Sequence, residues 1–271
     1  MLELRRASDT EIGDATPIAG GTEVVPLTRA GLLRPAALVD VRGVVPRGID
    51  GETIGAGTTL AELESDPRVP DALQEACRLA ASPQIRAMGS LAGNLLQSTR
   101  CWYWRLGWEC RLHGGDTCFA RDGEHREHAV LANGYCASAH PSDVAAALLA
   151  LDATVRTTRR ELGIGALYRV PTADDRRMTT LEPGELILSV RVPAPEASTY
   201  LKASARKLFS FPLVGVAAAR TPAGTRVALA GVAPVPWLHT GSLADATPLP
   251  GNAYKVEVAE ALVRRATEAL A

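Results

Sequence analysis

Three turns built from small residues constrain this chain more than any other feature. Ala19-Gly20-Gly21-Thr22, Gly55-Ala56-Gly57-Thr58-Thr59 and Gly89-Ser90-Leu91-Ala92-Gly93-Asn94 each follow a segment that reads as a strand. A turn without bulky side chains lets backbone N–H groups converge on an anion, and Ser or Thr hydroxyls add donors. The pyrophosphate of a dinucleotide needs such a cradle. None of the three has the G-x-G-x-x-G spacing of the doubly wound nucleotide fold, so that site is not the reading. Taken singly, each is also explained by glycine turning the chain between strands.

Around the turns, residues 1–5, 37–41 and 52–56 read as strands and residues 23–29 as a helix. Residues 8–11 have capping-box spacing, with room for a turn or so of helix; Thr59 to Glu62 is a second box that opens a short helix. Leu73, Ala76, Cys77 and Ala80 recur at helical spacing within 69–81, which places Cys77 in the core. Ser142-Asp143 caps an Ala/Leu-rich helix. Residues 153–157 read as a strand. The charged, irregular stretch 158–183 suggests a boundary. Beyond it, residues 186–192, 200–206, 214–219 and 227–232 read as strands of one antiparallel sheet. Residues 254–270 read as an amphipathic helix.

Hydrophobic residues at 46% against charged residues at 22% predict a globular, core-forming chain. A net charge of −1 argues against a nucleic-acid partner, which needs a basic footprint. No apolar run is long enough to span a bilayer, so no membrane association is expected. The opening MLELRRASDTEIGDA has no apolar signal region, and a cytoplasmic location is the expectation.

Cys77 stands alone, whereas Cys101, Cys110, Cys118 and Cys136 fall in one segment. With no signal peptide, that cluster reads as metal ligation or redox chemistry rather than disulfides. Residues 100–137 have no clean periodicity and predict a long ordered loop held by something. Four thiolates at wide, unequal spacing suit a 4Fe–4S cluster. The paired C-x-x-C spacing of a zinc ribbon is absent. Four free thiols are the plain alternative. His113, His125, His128 and His140 read as loop or surface residues rather than ligands.

Several motifs, in order, resemble the FAD subunits of xanthine dehydrogenase-like and carbon monoxide dehydrogenase-like molybdenum hydroxylases. Pro17-Ile18-Ala19-Gly20-Gly21-Thr22-Glu23-Val24 resembles the first flavin motif. Ser82-Pro83-Gln84-Ile85-Arg86, with Gly89 to Asn94, resembles the second, and Ile54 to Leu60 the stretch between them. Here Ala92 stands where glycine is commoner. His140-Pro141-Ser142-Asp143, Tyr200-Leu201-Lys202, Ala230 to Pro234 and Asn252 to Val256 resemble later family elements. The cysteine segment resembles that of the aldehyde oxidoreductase-like branch.

The resemblance implies an α+β fold. A two-part FAD-binding domain of the PCMH/vanillyl-alcohol-oxidase type would occupy residues 1–165, with the Cys-rich loop at 100–137. A C-terminal domain of the CO dehydrogenase flavoprotein type, an antiparallel sheet with helices, would occupy 175–271. It also implies an oxidoreductase subunit that binds FAD and relays electrons without hydroxylating substrate. Pro17, Ile18, Ala19, Gly20, Gly21, Thr22, Glu23 and Val24 would wrap the pyrophosphate end. Ser90, Leu91, Ala92, Gly93 and Asn94 would bind the phosphate–ribityl region. Asp143 would accept hydrogen bonds from FAD, Ile187 would pack on it, and Lys202 would lie near the isoalloxazine. Cys101, Cys110, Cys118 and Cys136 would hold the 4Fe–4S cluster. The implied partners are a large molybdenum-cofactor subunit and a small 2Fe–2S subunit, in a hetero-oligomer. A self-contained flavoprotein and a flavin-free interaction subunit are the competing readings.

Overall fold

The chain begins with three short strands. β1 (Glu3–Arg6), β2 (Thr16–Ile18) and β3 (Ala37–Asp40) form a parallel sheet in the order β1-β3-β2. α1 (Val24–Arg29) connects β2 to β3. The computed structural model that gives this architecture describes residues 2–271, so Met1 lies outside the described residues. The capping-box spacing at residues 8–11 opens no helix. Instead Asp9 Oδ1 accepts the Glu11 N–H at 2.9 Å and closes a turn. The link between β1 and β2 forms no helix, and its Ala7, Ile12 and Ala15 cover Val39, Val41 and Leu186 directly.

β4 (Ile49–Asp50) and β5 (Thr53–Gly55) pair as a hairpin. Thr59 caps α2 (Leu60–Ser65) with the reciprocal bonds its spacing predicts: Oγ1 accepts Glu62 N–H, and the Glu62 carboxylate accepts Thr59 N–H at 2.8 Å. α3 (Asp71–Leu79) turns Leu73, Ala76 and Cys77 inward, and Cys77 is fully buried as its phase requires. Its first turn has no local side-chain cap. The Ala72 N–H is satisfied by Ser198 Oγ at 3.1 Å, from far along the chain. α4 (Pro83–Met88) is too short to show periodicity, yet Ser82 caps it and Pro83 opens it. The third small-residue turn therefore follows a helix and not a strand. It leads into α5 (Leu91–Leu95). Residues 100–137 form a loop carrying α6 (Trp102–Arg105) and a 3-10 turn at Arg111–His113. α7 (Asp143–Ala150) is capped by Ser142 and buried along its whole length.

The next strands complete a second sheet. β6 (Thr154–Thr157), β7 (Glu161–Gly163) and β8 (Ile187–Arg191) join the hairpin in the antiparallel order β4-β5-β8-β6-β7. This corrects two expectations. Residues 186–192 belong to this sheet and not to the C-terminal one, because β8 pairs with both β5 and β6. Residues 158–183 are not simply irregular: they supply β7 and a 3-10 turn at Ile164–Leu167 that buries both of its end residues.

The C-terminal sheet is an antiparallel meander of β9 (Ala197–Ala203), β10 (Val214–Thr221), β11 (Gly224–Ala230) and β12 (Trp237–His239), in the order β12-β11-β10-β9. The two-residue period of β10 decides its neighbours. Ala217 and Ala219 pack into the core shared with α3 and α7. Val214, Val216 and Ala218 pack on the other face against Ala259 and Leu262 of α8 (Tyr254–Glu268). The small side chains of β10 let α7 lie close against the sheet. The whole is the expected α+β mixture. Among the described residues, no helix is long and apolar enough to cross a membrane.

Candidate functional site

Backbone hydrogen bonds stitch the second and third turns together. Leu91 N–H donates to Thr58 O at 2.8 Å, Ala92 N–H to Ala56 O at 3.0 Å, and Leu60 N–H to Gly89 O at 3.0 Å. The first turn docks on the end of α4. A Cβ at Gly20 would stand 1.7 Å from the Met88 carbonyl oxygen, so this approach admits glycine alone. Gly21 follows with φ +71°, in the left-handed region.

The first and third turns, with Leu60 just after the second, border a cleft of about 260 Å³. Of the expected flavin residues, Thr22, Glu23, Gly93, Asn94 and Asp143 line it. Ala19, Gly20 and Gly21 form the backbone of the first turn, after Pro17 and Ile18 in β2 and before Val24 at the head of α1. Ser90 is buried, its Oγ accepting Gly93 N–H at 3.2 Å. Leu91 and Ala92 pack into the main core. Ile187 sits in that core too and is not among the cleft-lining residues.

Asp143 is a buried, paired charge on the cleft wall. Its Oδ2 lies 2.8 Å from Lys202 Nζ, its Oδ1 accepts from the Tyr200 hydroxyl, and Lys202 also donates to Leu79 O at 3.1 Å. Burial pushes the Asp143 carboxyl up from its ordinary value, and Lys202 and Tyr200 pull it back down. The Lys202 side chain is buried, and the side chain that caps α7 is that of Ser142. Ser142 Oγ also donates to Asn94 Oδ1 at 2.6 Å and ties the third turn to α7.

Other cleft residues give no signal in the sequence. Arg100 donates to Glu23 Oε2 at 2.8 Å and to Gln97 Oε1 at 2.9 Å, while its Nε is buried without a partner. Its guanidinium lies 4.7 Å from the centroid of the Phe211 ring. Ala81 and Phe209, both on the cleft wall, hold left-handed φ values of 51° and 56°. Non-glycine residues rarely adopt that region, and they tend to do so at functional sites.

The residue after Arg100 opens a second site. Cys101, Cys110, Cys118 and Cys136 all line one small cavity of about 20 Å³. Among the described residues, no three His, Cys, Asp or Glu side chains converge as a single metal ion requires. The sulfurs ring the cavity instead. Burial pushes the Cys101 thiol up to about 12, and the Cys136 thiol upward as well. The loop carries a small aromatic core: Trp108 stacks edge-on against Tyr103 and Phe119, at 5.2 and 4.9 Å between centroids. Cys77 lies in the main core, apart from this group. His113 and His125 are loop residues as expected, but His128 and His140 are buried. Their burial arises from contacts distant in sequence.

The family described as the FAD binding domain in molybdopterin dehydrogenase matches residues 1–195. This chain belongs to that family. The aldehyde oxidoreductase FAD-binding subunit PaoB of Escherichia coli (strain K12) is 38% identical over 242 residues, covering 81% of this chain and 75% of that protein. The carbon monoxide dehydrogenase medium chain of Afipia carboxidovorans is 30% identical over 201 residues, covering 69% of this chain and 54% of that protein. Among solved structures, a chain of the reconstituted CO dehydrogenase from Oligotropha carboxidovorans superposes with a TM-score of 0.69. It shares 22% identity over 99% of this chain and 96% of that one, a likeness of fold. As a member of the molybdopterin dehydrogenase FAD-domain family, the chain is an FAD-binding component of an oxidoreductase.

Proposed function

We propose that this chain is the electron-relay subunit of a heteromeric molybdenum-dependent hydroxylase or dehydrogenase. A large partner subunit carries the molybdenum cofactor and oxidises the substrate. A small partner subunit carries 2Fe–2S centres that deliver electrons here, and an acceptor collects them. The chain itself holds FAD in the cleft and a 4Fe–4S cluster on Cys101, Cys110, Cys118 and Cys136. One observation carries this reading: the cleft and the cysteine cavity meet at a single peptide bond. Arg100 lines the first and Cys101 the second.

The residues fit both groups. The backbone of Ala19, Gly20 and Gly21 forms the cradle, and Pro17, Ile18, Thr22, Glu23 and Val24 fix its position. Arg100 offers a buried donor without a partner, which suits a phosphate oxygen. Gly93 and Asn94 face the cleft, backed by Ser90, Leu91 and Ala92. Asp143 presents an acceptor held in place by Lys202 and Tyr200. Lys202 and Ile187 act from behind the cleft wall. Bound FAD supplies one- and two-electron redox chemistry. We place the flavin-binding unit at residues 1–195, since β8 completes its sheet.

For the cysteines, the support is their shared cavity. Buried thiolates facing one another are unfavourable without a metal, and iron compensates their charge. Four cysteines around one cavity, with no three of them converging on a single point among the described residues, suit a polynuclear cluster better than one ion. The test is anaerobic purification of the chain co-expressed with its genetic neighbours. A molybdenum-binding subunit and an iron–sulfur subunit should co-purify, with FAD and about four irons and four sulfides on this chain. Single Cys→Ser changes at the four loop positions should lose that iron, and Cys77→Ser should keep it. A lone monomer overturns the subunit reading. FAD-loaded protein without iron overturns the cluster.

A further inference from the structure

One imidazole reaches the ring of sulfurs. His128 Nε2 lies 3.2 Å from Cys101 Sγ, and the residue is 3% exposed. Its Nδ1 is buried and has no partner. The two nitrogens thus differ, and a neutral ring carries hydrogen on only one of them. Hydrogen on Nδ1 would be a buried donor with nothing to receive it. Hydrogen on Nε2 points at sulfur, so this tautomer pairs its one donor and leaves only an acceptor at Nδ1 without a partner.

The aim of this ring is fixed from three sides. Trp102 packs edge-on against it, with centroids 5.0 Å apart. The His128 carbonyl accepts from Asn252 Nδ2 at 3.1 Å and from Lys255 Nζ at 2.9 Å. Lys255 is itself fully buried at the head of α8, and donates also to Glu127 O at 3.0 Å and Gly231 O at 2.5 Å. The C-terminal helix thereby anchors the backbone beneath the imidazole.

We infer that His128 is a positioning residue that donates its Nε2–H to the sulfur of Cys101 and raises the reduction potential of the loop's iron–sulfur cluster. The inference rests on the 4Fe–4S reading above. Reduction adds negative charge that spreads onto the ligating sulfurs. A hydrogen bond to one of them stabilises the reduced form more than the oxidised form. Cys101 is also the ligand adjoining Arg100, so the tuned sulfur is the one next to the flavin cleft.

The test uses the intact complex, purified anaerobically, with the cluster potential read by an EPR-monitored redox titration. His128→Phe keeps a ring against Trp102 and removes the donor; His128→Gln restores an N–H. The expected result is parental iron content in both. The cluster potential should fall in His128→Phe and return toward the parent in His128→Gln, with the FAD potential unmoved. An unchanged cluster potential in iron-replete His128→Phe overturns the inference and leaves the cluster standing. A parent without iron overturns the cluster reading and this role with it. If His128→Phe fails to hold iron, the parent labelled with 15N-histidine decides the matter. A histidine nitrogen coupled to the reduced cluster in pulsed EPR supports the hydrogen bond, and its absence overturns it.

Discussion

Lys202 Nζ and Asp143 Oδ2 stand 2.8 Å apart across the junction of β9 and α7, with side chains only 4% and 3% exposed. Breaking a buried pair from one side is costly because it strands the other charge. Lys202→Met should destabilise the protein by about 3–5 kcal/mol at neutral pH, read as a lower urea midpoint. Burial already pushes the Asp143 carboxyl up, and the change removes the stronger of the two partners that pull it down, leaving Tyr200. The folded variant therefore takes up a proton more readily than its unfolded chain. Its deficit should shrink as pH falls toward the ordinary carboxylate value of about 3.9. An equal deficit at neutral and acid pH would contradict this account.

His140 sets a pH dependence of the opposite kind. Burial pushes its imidazole down to about 3, where it packs edge-on against Tyr168 at 4.7 Å between centroids. The unfolded chain protonates it near pH ~6.5. Unfolding between those values takes up a proton. Stability from this residue is thus complete above pH ~6.5 and declines below it, by up to about 1.4 kcal/mol per pH unit. Urea titrations across that range should show this slope in the parent and a shallower one in His140→Phe.

Glu23 links the two sites. Its carboxylate accepts from Ser98 N at 3.0 Å, Arg100 at 2.8 Å and Arg105 at 2.6 Å. Hydrogen bonds to charged groups contribute about 1.5–3 kcal/mol. Glu23→Gln should weaken FAD binding by roughly tenfold or more, and should also speed proteolysis within residues 100–137. Glu3, whose pair with Arg5 is exposed, supplies the control: Glu3→Gln should change neither. Fluorescence titration with FAD and timed digestion give the two readings.

Gly20→Ala places a Cβ against the Met88 carbonyl and should force the first turn off α4. FAD content after gel filtration should drop sharply. Gly43→Ala, where a Cβ meets nothing within 4 Å, should leave it intact. Full FAD retention by Gly20→Ala would remove the first turn from the site.

Local chemistry made much of this readable from sequence. The reciprocal bonds of Thr59 and Glu62 depend on residues three apart, and the inward phase of Cys77 on residues within one helix. Both are written in spacing. The partners of Lys202 are not, because Asp143 and Leu79 lie far away in the chain. Its burial beside them follows from tertiary packing that spacing does not carry. The same holds for His128, whose loop position gives no hint of Cys101 or Lys255. β8 was legible as a strand but not in its sheet, since apolar alternation does not name a partner. α4 was hidden by its brevity.

The position of β8 also sets an order of events during synthesis. β5 and β6 are neighbours only through it, and neither pairs with the other directly. A nascent chain that has emerged as far as β7 therefore carries two strands whose facing edges stay open. Open edges invite pairing with other chains. The gap closes only when residues 187–191 leave the ribosome and thread between them. The five-stranded sheet that carries the second small-residue turn is thus complete only late, closed by a strand translated long after that turn.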